Sequence, residues 1–153
     1  MSVEANKALV RRFIEQALAG GDFAALAELM APDCVEHTAP LGQPPAEGTV
    51  ARYLVLWRAA FPDLAITVED LLAEGERVAV RQTVRGTHRG AFLGLPPTGR
   101  QIAVTGMAFY RLAGGRIVER WATVDTLEVL RQLGAPATSP TGSPGARPAR
   151  APG

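Results

Sequence analysis

Asp125 closes a run of largely apolar alternation, and a carboxylate at the end of an apolar ladder is costly to keep ionised unless it is paired. In a water-poor pocket such a carboxyl is held towards its neutral form, so it can donate to a carbonyl oxygen and recover the proton afterwards. The same aspartate precedes a helical stretch over residues 126–133, so an N-cap is its alternative role. His37 stands in the string Asp33-Cys34-Val35-Glu36-His37-Thr38. On an extended segment Glu36 and His37 face opposite ways, so at most one of them enters a pocket. His37 is either the second polar contact of the site or a hydrogen-bonded structural residue. Tyr53 and Trp57, four apart on a predicted helix, are core residues or pocket walls. No second histidine lies at ligand spacing, His88 falls on a distant arginine-flanked loop, and Cys34 is the only cysteine, so neither a metal site nor a disulfide is expected. Phosphate-binding glycine loops, HExxH and GxSxG are absent from the sequence, and no cofactor is expected.

The elements that must position these groups follow from a change of apolar period. Leu9, Val10, Phe13, Ile14 and Ala17 recur at helical spacing over residues 3–19 and stop at Gly20-Gly21. Asp22 can cap a short second helix carrying Leu26, Leu29 and Met30, stopped by Pro32. An extended piece over residues 34–38 and a Pro/Gly loop follow. Thr49 can cap a third helix with Val50, Tyr53, Leu54, Trp57 and Phe61 on one side and Pro62 at its end. From residue 64 the period becomes two. Strands are predicted over residues 64–74, around Val78, Val80 and Val84, around Ile102, Val104 and Ala108, and over residues 116–123. Arg81, Arg85 and Arg89 read as a solvated face. Helices first and an antiparallel meander second make an α+β domain with the helices on one face of a curved sheet.

Gly114-Gly115 is a two-residue hairpin signal, since both positions tolerate positive φ. Counting outward from Ala113 opposite Arg116 puts Tyr110 opposite Glu119, Ala108 opposite Trp121 and Val104 opposite Asp125. One face would then hold Trp121, Thr123 and Asp125, and the other Met107, Phe109, Val118 and Val124. Both faces are largely apolar although helices cover only one, so the other is expected against a second copy, in a homodimer or homotetramer.

Length and charge narrow the partners. The chain has 153 residues, 47% of them apolar, with 16 Lys+Arg against 15 Asp+Glu. That is one domain's worth of chain, without the basic excess of nucleic-acid-binding proteins and without an apolar run long enough to cross a membrane. A cytoplasmic protein with a hydrophobic small-molecule ligand is expected. The folded domain is expected over residues 1–134, and residues 135–153, rich in Pro, Gly, Ala and Ser, as a disordered tail.

Several strings, in this order of elements, are familiar. The helix opening Asn6-Lys7-Ala8-Leu9-Val10-Arg11-Arg12-Phe13, Ala31-Pro32-Asp33, the loop Phe92-Leu93-Gly94-Leu95-Pro96-Pro97-Thr98-Gly99-Arg100, Gly115-Arg116-Ile117-Val118-Glu119 and the closing Leu130-Arg131-Gln132-Leu133-Gly134 resemble the SnoaL-like polyketide cyclases. The resemblance implies the cone-shaped α+β fold of nuclear transport factor 2-like proteins, a deep apolar cavity and an oligomer. It further implies cofactor-free intramolecular aldol ring closure in secondary metabolism, with Asp125 as acid/base. The histidine those cyclases carry on the penultimate strand falls on Ala108, and their asparagine after Pro-Asp falls on Glu36 or His37. Tyr53, Trp57, Tyr110 and Trp121 are then the expected walls. Epoxide hydrolysis or isomerisation on the same scaffold, and a non-catalytic binding or oligomerisation module, are the alternatives.

Overall fold

Ser2 and Asp22 start the first two helices by accepting hydrogen bonds from Ala5 N at 3.1 Å and Ala25 N at 3.0 Å, which relieves the unpaired amides of a first turn. The computed structural model describes residues 1–38 and 48–136. The Pro/Gly loop beyond residue 38 and all but the first two residues of the tail predicted over 135–153 lie outside the described residues. In chain order the elements are α1 (Val3–Arg12), a π-helical segment (Phe13–Ala19), α2 (Phe23–Leu29), β1 (Met30–Glu36), α3 (Thr49–Ala60), β2 (Ala65–Glu74), β3 (Arg77–Thr87), β4 (Gln101–Ala113), β5 (Arg116–Val124) and α4 (Thr126–Gln132).

The first predicted helix is therefore two pieces. From Phe13 the turns widen, and its end is held by Gly20 N donating to Glu15 O five residues back. The wider turn re-aims the side chains that follow it. Met30, expected on the second helix, opens β1 instead, and the N-cap of α3 is Gly48 (φ 72°), with Thr49 the first helical residue.

The five strands run in the order β1-β5-β4-β3-β2, with β1 parallel to β5 and every other pair antiparallel. This is the α+β class expected. Alternation on β4 is strict: Ile102, Val104, Gly106, Ala108, Tyr110 and Leu112 are buried, and the residues between them face outward. Phe13, Ile14, Leu26 and Ile117 pack with Tyr110 and Leu112 in one part of the core, and Trp57, Phe61, Phe92, Val104 and Leu133 in the other.

The hairpin register departs from the count. Ala113 pairs with Arg116 and Leu112 with Ile117 as the turn dictates, with Gly114 and Gly115 both at positive φ. Arg111 then pairs with Glu119, which leaves Val118 as an extra residue on β5. A bulge of one residue turns every later side chain of that strand to the opposite face. Tyr110 consequently pairs with Arg120, Phe109 with Trp121, Ala108 with Ala122 and Gly106 with Val124. Arg120 and Val124 face inward, and Trp121 faces outward.

The Gly-Leu-Pro-Pro-Thr-Gly-Arg loop is tied to the sheet by His88. Thr98 N donates to His88 Nδ1 at 3.2 Å, and an amide can only donate, so Nδ1 carries no proton and the neutral ring carries it on Nε2. His88 is fully buried beside Phe61 and belongs to the scaffold.

Candidate active site

The inward faces of β3 and β5 and one side of α3 enclose a partly open cavity with about 50 Å³ of room for the centres of water-sized molecules. That is space for a few waters, about a third of what a cavity needs to enclose a benzene ring, so a larger ligand extends out through the open side. Its walls are chiefly apolar: Leu18 from the π-helical segment, Leu54 and Trp57 from α3, and Ile66, Val84 and Val124 from the sheet. Tyr53, Gln82 and Arg120 interrupt them with polar groups.

Arg120 is the charge in this wall, and it is 7% exposed. Its Nη1 donates to Glu36 Oε2 at 2.6 Å, and Glu36 is equally buried at the end of β1. The other Glu36 oxygen accepts from Thr38 N at 3.1 Å, which holds the carboxylate in place. Burial works against the guanidinium charge, yet Tyr110 and Glu36 more than offset it and raise its pKa further. Arg120 Nε has no hydrogen-bond partner among the described residues. The guanidinium carbon lies 6.0 Å from the centre of the Tyr110 ring, which packs edge-on against Phe13. Burial pushes the Tyr53 and Tyr110 phenols above their ordinary range, so both are hydroxyls at neutral pH.

Of the residues singled out in the sequence, Tyr53 and Trp57 line the cavity, 5.7 Å apart between ring centres. Glu36 reaches it by holding Arg120, and Tyr110 lies fully buried beside that pair. Ala108 is on the inner face, between Val80 on β3 and Ala122 on β5, as part of the packed core. Trp121 is corrected to the outer face by the Val118 bulge. There it stacks on His37 at 4.5 Å, with the Arg77 guanidinium 5.5 Å from its ring centre. His37 shares that outer face, exposed, with Nε2 2.7 Å from Glu119 Oε1. Alternation on β1 is the reason: Glu36 turns inward and His37 cannot follow it. Arg111 at 2.6 Å and His37 together hold the Glu119 carboxyl below its usual range.

Asp125 follows the cavity-lining Val124 but is itself exposed and is not among the residues that line the cavity, so the water-poor setting expected for its carboxyl is not found. Its Oδ1 accepts from Glu128 N at 3.0 Å, so the carboxylate caps α4 in this conformation. Cys34 adds no nucleophile, because burial raises its thiol to about 11. Among the described residues no group of three or more His, Cys, Asp and Glu side chains could hold a metal ion, and no helix is long and apolar enough to cross a membrane.

Sequence reasoning missed Arg120 and Gln82. Gln82 had a visible signal, since it shares the parity of Val78, Val80 and Val84 on β3. Arg120 had none, because its inward direction depends on the bulge.

This architecture has close counterparts. A family model for SnoaL-like polyketide cyclases matches residues 8–133. The chain is 31% identical over 140 residues to the aklanonic acid methyl ester cyclase DnrD of Streptomyces peucetius, covering 88% of this chain and 94% of that protein. Among solved structures, IdmH of Streptomyces antibioticus, a candidate polyketide cyclase, superposes with a TM-score of 0.77 at 35% identity, covering 84% of this chain and 98% of that one. AclR of Streptomyces galilaeus, a candidate hydroxylase, gives a TM-score of 0.78 at 28% identity over 88% and 87% of the two chains. With nearly the whole described fold matched, the chain belongs to the SnoaL-like polyketide cyclase family.

Proposed function

We propose that the protein is a cofactor-independent ring-closing enzyme that performs an intramolecular aldol reaction on a polyketide ester whose reacting ring enters this cavity. The observation that carries the reading is the buried Arg120, anchored by Glu36 in an apolar wall with Nε unengaged. An oxyanion developing in a desolvated site gains most from a donor already fixed in place. Asp125, one residue past the cavity-lining Val124, takes the proton from the carbon between two carbonyls. The enolate carbon then attacks the ketone carbon, a C–C bond forms, the C=O π bond opens to an alkoxide facing Arg120, and Asp125 returns the proton. The apolar walls hold the flexible chain in its reactive fold. For this step the Asp125 carboxylate must leave, or share, its bond to Glu128 N. The protein acts as a homodimer or homotetramer.

Aklanonic acid methyl ester, the compound after which the relative DnrD is named, is the substrate to try first. Arg120→Lys keeps the charge opposite Glu36 but removes the guanidinium fork, and is expected to lower kcat by about 10²–10³. Asp125→Asn is expected to lower it by about 10²–10⁴ with little change in Tm, since asparagine caps as well as aspartate. Full turnover by Asp125→Asn leaves Asp125 as a cap alone and removes it from the mechanism.

The Glu36–Arg120 pair also favours a second reading, opening of an epoxide by water with Arg120 holding the leaving oxygen. The capping bond of Asp125 favours a third, a binding module without chemistry. A diol formed from an epoxide substrate selects the former. Ligand binding without turnover of either substrate type selects the latter.

A further inference from the structure

Gln82 is 5% exposed, lines the cavity, and its Oε1 has no hydrogen-bond partner among the described residues. Its neighbours on that face of β3 are Val80 and Val84, so the amide is a deliberate interruption of an apolar stripe. A buried carbonyl left unpaired is unfavourable, and such atoms recur where a ligand completes them.

The strand beside it is shaped for the same side chain. Gly106 is the direct partner of Gln82 on β4. A Cβ at position 106 would lie 3.2 Å from Gln82 Nε2 and 3.3 Å from its Cγ, closer than ordinary carbon contacts. Glycine is a poor residue for the middle of a strand, and here it clears the floor on which the Gln82 amide lies. An unpaired buried acceptor and a glycine that makes room for it are separate features pointing to one use.

We infer that Gln82 is a specificity-determining residue whose Oε1 accepts a hydrogen bond from a hydroxyl of the bound ring, with Gly106 holding the amide in the position to do so. The preferred ligand is thus a phenol or enol, one O–H donor towards Gln82 and a carbonyl or enolate oxygen towards Arg120. This deepens the ring-closing reading and rests on its placing the reacting ring in this cavity.

Phenol and toluene differ by OH against CH₃ at nearly equal size, and each can present that group to Gln82 through the open side of the cavity. Their dissociation constants are measured by NMR titration of the full chain, for the wild type, Gln82→Met and Gly106→Ala, each checked for native circular dichroism. The ratio of toluene to phenol dissociation constants should fall about fivefold or more in Gln82→Met, the scale of one hydrogen bond. Gly106→Ala, which displaces the amide without removing it, should shift the ratio the same way. Binding of both probes with the ratio unmoved in both variants overturns the role of Gln82 and leaves the ring-closing reading intact. Failure of the wild type to bind either probe overturns both.

Discussion

Arg120 and Glu36 are each tolerable inside this protein only because of the other. Moving a guanidinium out of water is offset here by a 2.6 Å bond to a carboxylate that is itself anchored by Thr38 N. Removing one partner leaves the other charged in an apolar wall. Glu36→Gln is therefore expected to destabilise the fold by about 3 kcal/mol, read from urea denaturation at neutral pH. The double variant Glu36→Leu with Arg120→Met should recover most of that loss, since an apolar pair of similar volume carries no desolvation penalty. If the single variant is as stable as the wild type, the pair is more hydrated than its burial implies. An expensive arrangement that apolar residues could replace is consistent with retention for chemistry.

At the scale of elements, α4 is fastened to the sheet by its polar face as well as by buried Val129. Gln132 Oε1 accepts from Ala103 N at 2.9 Å and its Nε2 donates to Ala103 O at 3.1 Å, so one side chain extends the edge of β4. Glu128 steadies that glutamine and accepts two bonds from Arg131, each 2.6 Å. These contacts, led by Arg131, hold the Glu128 carboxyl at about 2, below its ordinary value of 4.5. A depressed folded value means stability that is fully present above the unfolded value and is lost as pH falls through the folded one. The difference in Tm between wild type and Glu128→Gln should therefore be constant above pH 5 and vanish between pH 4.5 and about 2. An unchanged difference at pH 2 would show that the contacts do not depend on the charge.

For the whole molecule, assembly turns on the outer face of the sheet. Met107 and Phe109 are more than half exposed, and Trp121 lies beside them under Arg77 and His37. Exposed apolar side chains in the middle of a sheet whose other side carries the helices are expected against a second copy. Sedimentation of the wild type should give a dimer or tetramer, and Phe109→Glu, which would bury a carboxylate in that contact, a monomer or insoluble protein. A monomeric wild type at micromolar concentration removes the assembly from the proposal. The order of elements, the antiparallel β2 to β5 meander, the glycine hairpin and the shared parity of Val78, Val80 and Val84 were all legible in the chain. They rest on local periods and turn preferences, which act over a few residues. Tyr53 and Trp57 were legible as walls for the same reason. Three matters of direction were not: that the first helix widens at Phe13, that β1 begins at Met30, and that β5 bulges at Val118. The bulge mattered most, since one extra residue exchanged Trp121 for Arg120 inside the molecule, and with it the charge around which the site is built. Nothing local to β5 marks that residue as unpaired; pairing against β4 and β1, and the need to bury Tyr110 and Glu36 around a common cation, decides it only when the chain has folded.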